Sequence, residues 1–137
     1  MHELNATPLD KLEAAMVGNF PVLKMQVEHI FTPGIYTRIL HIPKHAMLSG
    51  KIHLTDHPFM IVKGMIKIVT PHGPITLKAG HYDVTVAGSQ RVGFAMEDTT
   101  WITVHANPDD CRDLAEIERR IIQPRVNPLL HTKTLSE

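Results

Sequence analysis

The sequence predicts an all-β domain, a sandwich or small barrel, with a short helix at each end and an extended C-terminal tail. Three observations predict it. Six short runs rich in β-branched or aromatic residues lie between residues 35 and 105, the composition that suits a pleated, half-buried surface. Turn-forming clusters separate these runs at short intervals, which argues against the helical crossovers of a parallel sheet. Helix-capping patterns flank the region near residues 7 and 107.

Taken in order, Thr7-Pro8-Leu9-Asp10 supplies an N-cap, a proline at the first helical position and an acid that completes a capping box. Leu9, Leu12 and Met16 then share a face, and Gly18 is the expected stop, so a helix is placed over about 8–17. Asn19-Phe20-Pro21 leads into an extended arm. The strands are placed at Ile35–Ile42, Met65–Val69, Ile75–Leu77, Tyr82–Val86, Arg91–Met96 and Trp101–His105. Between them lie Thr32-Pro33-Gly34, Ser49-Gly50, Pro71-His72-Gly73-Pro74, Ala79-Gly80, Ala87-Gly88 and Glu97-Asp98, all turn chemistry. Asn107-Pro108-Asp109-Asp110 starts a second helix with acids at its positive end. Leu114, Ile117 and Ile121 form its apolar face, Arg119 and Arg120 sit in its last turn, and Pro124 ends it. Pro128 keeps the tail out of helix. The expected organisation is a helix and arm over 1–34, a barrel over 35–106, and a helix and tail over 107–137.

The chain of 137 residues suits one domain. With 43% hydrophobic and 20% charged residues it buries a core. Its 14 basic and 14 acidic residues cancel, which argues against nucleic acid or an anionic membrane as partner. The longest run without a charged side chain is ten residues, half of a membrane span. Acidic and basic residues interrupt the first twenty positions, so no secretory signal is read there. Cys111 has no second cysteine to pair with. The expectation is a soluble protein made in a reducing cytoplasm.

Ten histidines is a high number for this length. Two of them fall in Gly50-Lys51-Ile52-His53-Leu54-Thr55-Asp56-His57, where strand alternation would point Lys51, His53, Thr55 and His57 into one cavity. Gly88-Ser89-Gln90-Arg91 turns into a strand, and Trp101, Thr103 and His105 share a face of the last one. His2, His29, His41, His45, His72, His81 and His131 read as surface or turn residues. Trp101 reads as core packing. Cys111 sits among Asp109, Asp110 and Asp113, which oppose thiolate formation.

The spacing of His53, His57 and Gly64, followed by Gly80, Gly88 and Arg91, resembles the two motifs of the cupins. The wider pattern adds Gly-x-x-Arg-Val-Gly at 88–93 and Glu97-Asp98-Thr99-x-Trp101-x-x-x-His105. It is similar to small cupin-like proteins encoded by tailed bacteriophages, over about residues 35–120. The resemblance implies a jelly-roll barrel, the double-stranded β-helix. It also implies a metal site, from which this chain departs. Lys51 stands where the family has a histidine, His57 where it has an acid, and Arg91 where it has the last histidine.

Those departures change the chemistry. An arginine is no metal donor and a nearby ammonium repels a divalent cation. Lys51, His53, His57 and Arg91, joined by His105, instead compose a cationic, hydrogen-bonding pocket for an anion. No cofactor is expected on this reading. The alternative is one divalent transition metal held by His53, His57 and His105. A plainer alternative is an internal network in which these groups pair with Asp83, Glu97 or Asp98.

Three functions follow as expectations. The first is a non-catalytic, homo-oligomeric binding or structural module. Its arms, carrying Phe20, Pro21, Val22 and Leu23 and then Val126, Leu129 and Leu130, would dock on neighbouring subunits. The phage resemblance implies other phage structural proteins as partners and a virion head or tail as the place of action. The second is a cupin enzyme, either a metal-dependent oxygenase or a metal-free isomerase or epimerase. In the metal-free form His53 or His57 is the base, and Lys51 and Arg91 hold an anionic substrate. Sensing of a small molecule or sugar is a third.

Overall fold

The computed structural model describes residues 6–19, 25–48 and 51–123. Helix α1 (Pro8–Asn19) is followed by strands β1 (Gln26–Thr32), β2 (Ile35–Ile42), β3 (Met47–Leu48), β4 (Ile52–His53), β5 (His57–Lys63), β6 (Met65–Thr70), β7 (Gly73–Lys78), β8 (Tyr82–Thr85), β9 (Val92–Ala95) and β10 (Thr99–Ala106). Helix α2 (Leu114–Ile121) and strand β11 (Ile122–Gln123) complete the described chain. No helix among the described residues is long and apolar enough to cross a membrane.

The strands form a five-stranded sheet in the order β1-β2-β10-β5-β8 and a four-stranded sheet in the order β3-β9-β6-β7. A small β11-β4 pair stands beside them. Every pairing is antiparallel, as a jelly roll requires. Alternation along each strand sends one set of side chains inward. Leu40, Ile42, Phe59, Ile61 and Trp101 come from the larger sheet, and Leu48, Ile66, Ile68, Leu77 and Ala95 from the smaller. They meet in one core.

The sequence reading holds for the helix start at residue 7. Thr7 Oγ1 accepts from the Asp10 backbone N–H at 3.0 Å, and Asp10 Oδ2 accepts from the Thr7 N–H at 3.0 Å. This reciprocal capping box satisfies two otherwise unpaired donors. The helix passes through Gly18 and ends at Asn19.

Three local expectations are corrected. The extended segment before residue 35 is, over Gln26–Thr32, an edge strand paired along its whole length with β2. Pro33-Gly34 makes the tight hairpin turn, with Gly34 at φ +74°. The second helix does not start at Asn107. Asp110 takes the left-handed region at φ 50°, which closes a turn through its N–H to the Asn107 carbonyl at 3.0 Å. The helix starts after Asp113, whose side chain accepts from the N–H groups of Ala115 and Glu116. Finally, Lys51 to His57 is not one strand. The chain bends at Thr55 between β4 and β5, and Asp56 Oδ1 holds the Ala87 N–H at 2.7 Å. The apolar anchors expected in the two arms, Phe20 to Leu23 and Val126, Leu129 and Leu130, lie outside the described residues.

Gly64, the glycine that closes the first motif, has a specific job. It joins β5 to β6 at φ +89°, and a Cβ there would strike the Asp98 carbonyl and Thr99. Only glycine fits, because the conformation and the backbone approach both exclude a side chain. Gly64→Ala is therefore expected to destabilise the fold by ~2–4 kcal/mol. Urea denaturation checks this, with Gly34→Ala, where no atom lies near the added Cβ, as the milder control.

Candidate functional site

Register decides what faces the interior. β10 lies between β2 and β5, with Tyr36 opposite His105, Arg38 opposite Thr103 and Leu40 opposite Trp101. On the other side Thr103 is opposite Phe59 and Trp101 opposite Ile61. β1 extends the layers, with His29 opposite Arg38 and Val27 opposite Leu40. β5 and β8 place His57 opposite Thr85. The inner face is thus graded across the strands. One end carries Val27, Leu40 and Trp101, the middle His29, Arg38 and Thr103, and the other end Tyr36, His105, His57 and Thr85.

These residues line a cavity of about 270 Å³. Leu48 and Ile68 add to its apolar end from the smaller sheet, and Leu114, Ile117, Ile121 and Ile122 cover it from α2 and β11. The cover is fastened in two ways. Leu54 N–H donates to the Ile121 carbonyl at 2.6 Å, and β11 pairs with β4.

All five residues singled out from the sequence, Lys51, His53, His57, Arg91 and His105, line this one cavity. They arrive from different places: Lys51 and His53 at β4, His57 at the start of β5, Arg91 just before β9, and His105 in β10. The imidazole rings adjoin, with centroids 5.2 Å apart for His53 and His57 and 4.3 Å for His57 and His105. The Arg91 guanidinium lies 5.2 Å over the Phe59 ring, a favourable cation–π placement. Its loop is buttressed by α1, because Gln90 Nε2 donates to Asp10 Oδ1 at 3.4 Å. Lys51 Nζ pairs with Glu118 of α2 at 3.3 Å.

Of the internal network expected with Asp83, Glu97 or Asp98, Asp83 reaches Arg91: burial lowers the Arg91 pKa and the charge of Asp83 raises it in part. Asp98 accepts from the Lys44 N–H at 2.8 Å, and Asp83 from the Val84 N–H at 2.8 Å. Glu97 is exposed. Glu118 is the carboxylate that lines the cavity among the described residues.

Burial sets the protonation states. His105 is held down to about 3, first by desolvation and then by His57, Arg38 and His53, so it is neutral at pH 7. Its Nε2 hydrogen-bonds Thr103 Oγ1 at 2.8 Å, while its Nδ1 is buried and meets no hydrogen-bond partner among the described residues. Burial raises Tyr36, and burial with Arg38 lowers His29. Both are thus kept neutral, and they share a hydrogen bond between the Tyr36 phenol oxygen and His29 Nδ1 at 2.6 Å. His57 Nδ1–H donates to the Thr55 carbonyl at 3.1 Å, because a carbonyl oxygen only accepts.

The sequence reading missed Arg38, Tyr36 and His29. Their signal was the alternation in Ile35–Ile42, which places a tyrosine, an arginine and a leucine on one face of a strand. A cation on a face that also carries leucine marks an interior polar site. His29, read as a surface residue, belongs to the cavity wall, and Trp101 both stacks on Phe59 at 4.9 Å and lines the cavity.

The metal alternative fails a test of fit. Among the described residues no group of three His, Cys, Asp or Glu side chains is arranged to hold a metal ion. Arg38, Lys51 and Arg91 bring three further cationic side chains to the same cavity, where each disfavours a divalent ion.

Solved structures share this architecture. They include an RmlC-like cupin family protein with a double-stranded β-helix fold from Methanocaldococcus jannaschii, with 14% identity, TM-score 0.54 and cover of 63% of this chain and 84% of that one. A cupin-2 domain containing protein from Shewanella frigidimarina has 15% identity and TM-score 0.51, over 78% of this chain and 100% of that one. KdgF from Halomonas sp. has 17% identity and TM-score 0.52, over 71% and 90%. No family model and no curated protein matches the sequence. The fold is therefore the cupin double-stranded β-helix. These neighbours are archaeal and bacterial, so the phage likeness rests on the motif residues alone.

The depressed His105 gives a pH dependence with a definite sign. An imidazole whose folded pKa lies below its unfolded 6.5 leaves stability intact above pH 6.5. It removes stability as pH falls from 6.5 toward about 3, by at most ~1.4 kcal/mol per pH unit for this one group. Urea melts across that range are expected to show the loss, and His105→Gln to flatten it. An unchanged slope in that variant assigns the dependence elsewhere.

Proposed function

We propose that the protein is a non-catalytic binding module whose barrel holds a small organic carboxylate with a short apolar body. The observation that carries this reading is the convergence of Arg38, Lys51, Arg91 and four imidazoles on a cavity whose other end is Leu40, Leu48, Ile68 and Trp101. Guanidinium groups match a carboxylate in geometry as well as charge, and Lys51 adds a point charge. The volume of about 270 Å³ lies just below the ~300–1,000 Å³ of ordinary ligand sites, which sets the ligand at the size of a small acid. The unpartnered His105 Nδ1 supports a guest with a polar group of its own.

His105 itself is a poor general base, since such a base works best with a pKa near the operating pH and burial holds His105 far below it.

The test is calorimetry with matched pairs, benzoate against benzamide and butyrate against butyramide, with inorganic phosphate as a third arm. The expected result is binding of a carboxylate and none of its amide. Arg91→Gln and Arg38→Gln are each expected to weaken it roughly 10–100-fold, the worth of a hydrogen bond to a charged group. Equal binding of acid and amide, or no heat from any acid, overturns the reading. Phosphate binding alone reassigns the site to an inorganic anion.

A further inference from the structure

We infer that Glu118 is a built-in competitor for the guest: an acid enters the cavity by taking Lys51 from Glu118, and filling the cavity thereby unlatches helix α2. This competition presupposes the carboxylate guest proposed above.

Three of the residues that line the cavity are exposed, His29 of β1 and Leu114 and Glu118 of α2. Among the described residues, the cavity therefore reaches solvent between these two elements. Leu114 and Glu118 are four positions apart and share one edge of the helix, and Leu114 keeps 42% of its surface exposed. Glu118 stands at this opening with its carboxylate 3.3 Å from Lys51 Nζ. The Lys51 side chain is 19% exposed and that of Glu118 59%, so the pair joins an inner cation to an outer anion. The charge of Glu118 also acts inward. Tyr36 is raised chiefly by burial and lowered in part by Arg38, and Glu118 raises it further.

A carboxylate arriving from solvent is chemically equivalent to the Glu118 side chain and seeks the same ammonium. One carboxylate replaces another, so the exchange is nearly balanced. The handicap that Glu118 imposes on a guest is then the worth of one partly exposed ion pair.

The same pair holds the helix. At the start of α2, Arg120 donates to both oxygens of Asp109, at 2.8 and 3.0 Å, and Asp110 Oδ1 accepts from the Gly34 N–H at 2.7 Å. At its end β11 pairs with β4. Between these fastenings, Lys51 to Glu118 is the polar tie from helix to barrel among the described residues. Without it, the middle of the helix is held by the packing of the buried Ile117.

Calorimetry with benzoate and amide hydrogen exchange test the competition together. Glu118→Gln is expected to tighten benzoate roughly 2–5-fold. In a Lys51→Met background it is expected to change nothing, because the contested ammonium is gone. In ligand-free protein, Glu118→Gln and Lys51→Met are each expected to speed exchange over residues 117–121 by a similar factor. Saturating benzoate is expected to do the same to the wild type and to add nothing in Glu118→Gln. Equal benzoate affinity with and without Glu118, or a tightening that survives Lys51→Met, overturns the competitor and leaves the carboxylate reading standing. Exchange over 117–121 that neither variant nor benzoate changes overturns the latch. Binding of no acid by either the wild type or Glu118→Gln removes the carboxylate reading, and the competitor with it.

Discussion

The structure depends on the register of β10 between β2 and β5. Side chains alternate with a period of two, so a slip of one residue exchanges every inner residue for an outer one. Correct pairing brings Tyr36, His105 and His57 into one polar zone and Leu40, Trp101 and Ile61 into an apolar one. A slipped strand would bury Thr100, Ile102 and Val104 in their place and turn Trp101 and His105 to solvent. Hydrophobic burial opposes such a slip because Trp101, Phe59 and Ile61 all lie in the core. The polar zone is thus placed by the apolar one, and the chemistry of the cavity is a by-product of a packing constraint.

Burying cations and imidazoles costs free energy, and the cavity wall shows how that cost is reduced. His105 gives up its proton and bonds Thr103. His29 and Tyr36 stay neutral and satisfy each other. Arg91 spreads over Phe59. Lys51 meets Glu118 of α2, but that carboxylate is 59% exposed, and such pairs contribute only ~0.2–1 kcal/mol. Arg91 also feels the charge of Asp83, so the site is offset in part from within, and the anion proposed above would offset it further.

Much of this was legible in the chain. The capping box of Thr7 and Asp10, the strands Ile35–Ile42 and Met65–Val69 (which runs on to Thr70), and five of the residues that line the cavity follow from caps, alternation and motif spacing. What was not legible depends on contacts distant in sequence. Gln26–Thr32 breaks alternation at Glu28-His29 and Ile30-Phe31, and its strand identity comes from pairing with β2. Lys51, His53 and His57 converge although a bend at Thr55 breaks their strand, because β4 is held by β11 from the far end of the chain. The start of α2 is a local competition. Asn107-Pro108 has the composition of a helix cap, yet Asp110 in the left-handed region ends that turn and Asp113 supplies the cap instead.

The two faces of the large sheet are read by opposite rules. Inside, polar residues carry the information, since each must be paired or meet a guest. Outside, apolar residues do, since each exposed one has to be tolerated or covered. In β5, His57, Phe59 and Ile61 are buried while Pro58, Met60 and Val62 are exposed. β5 is therefore apolar on both of its faces, the inner one meeting the cavity and core, the outer one exposed among the described residues.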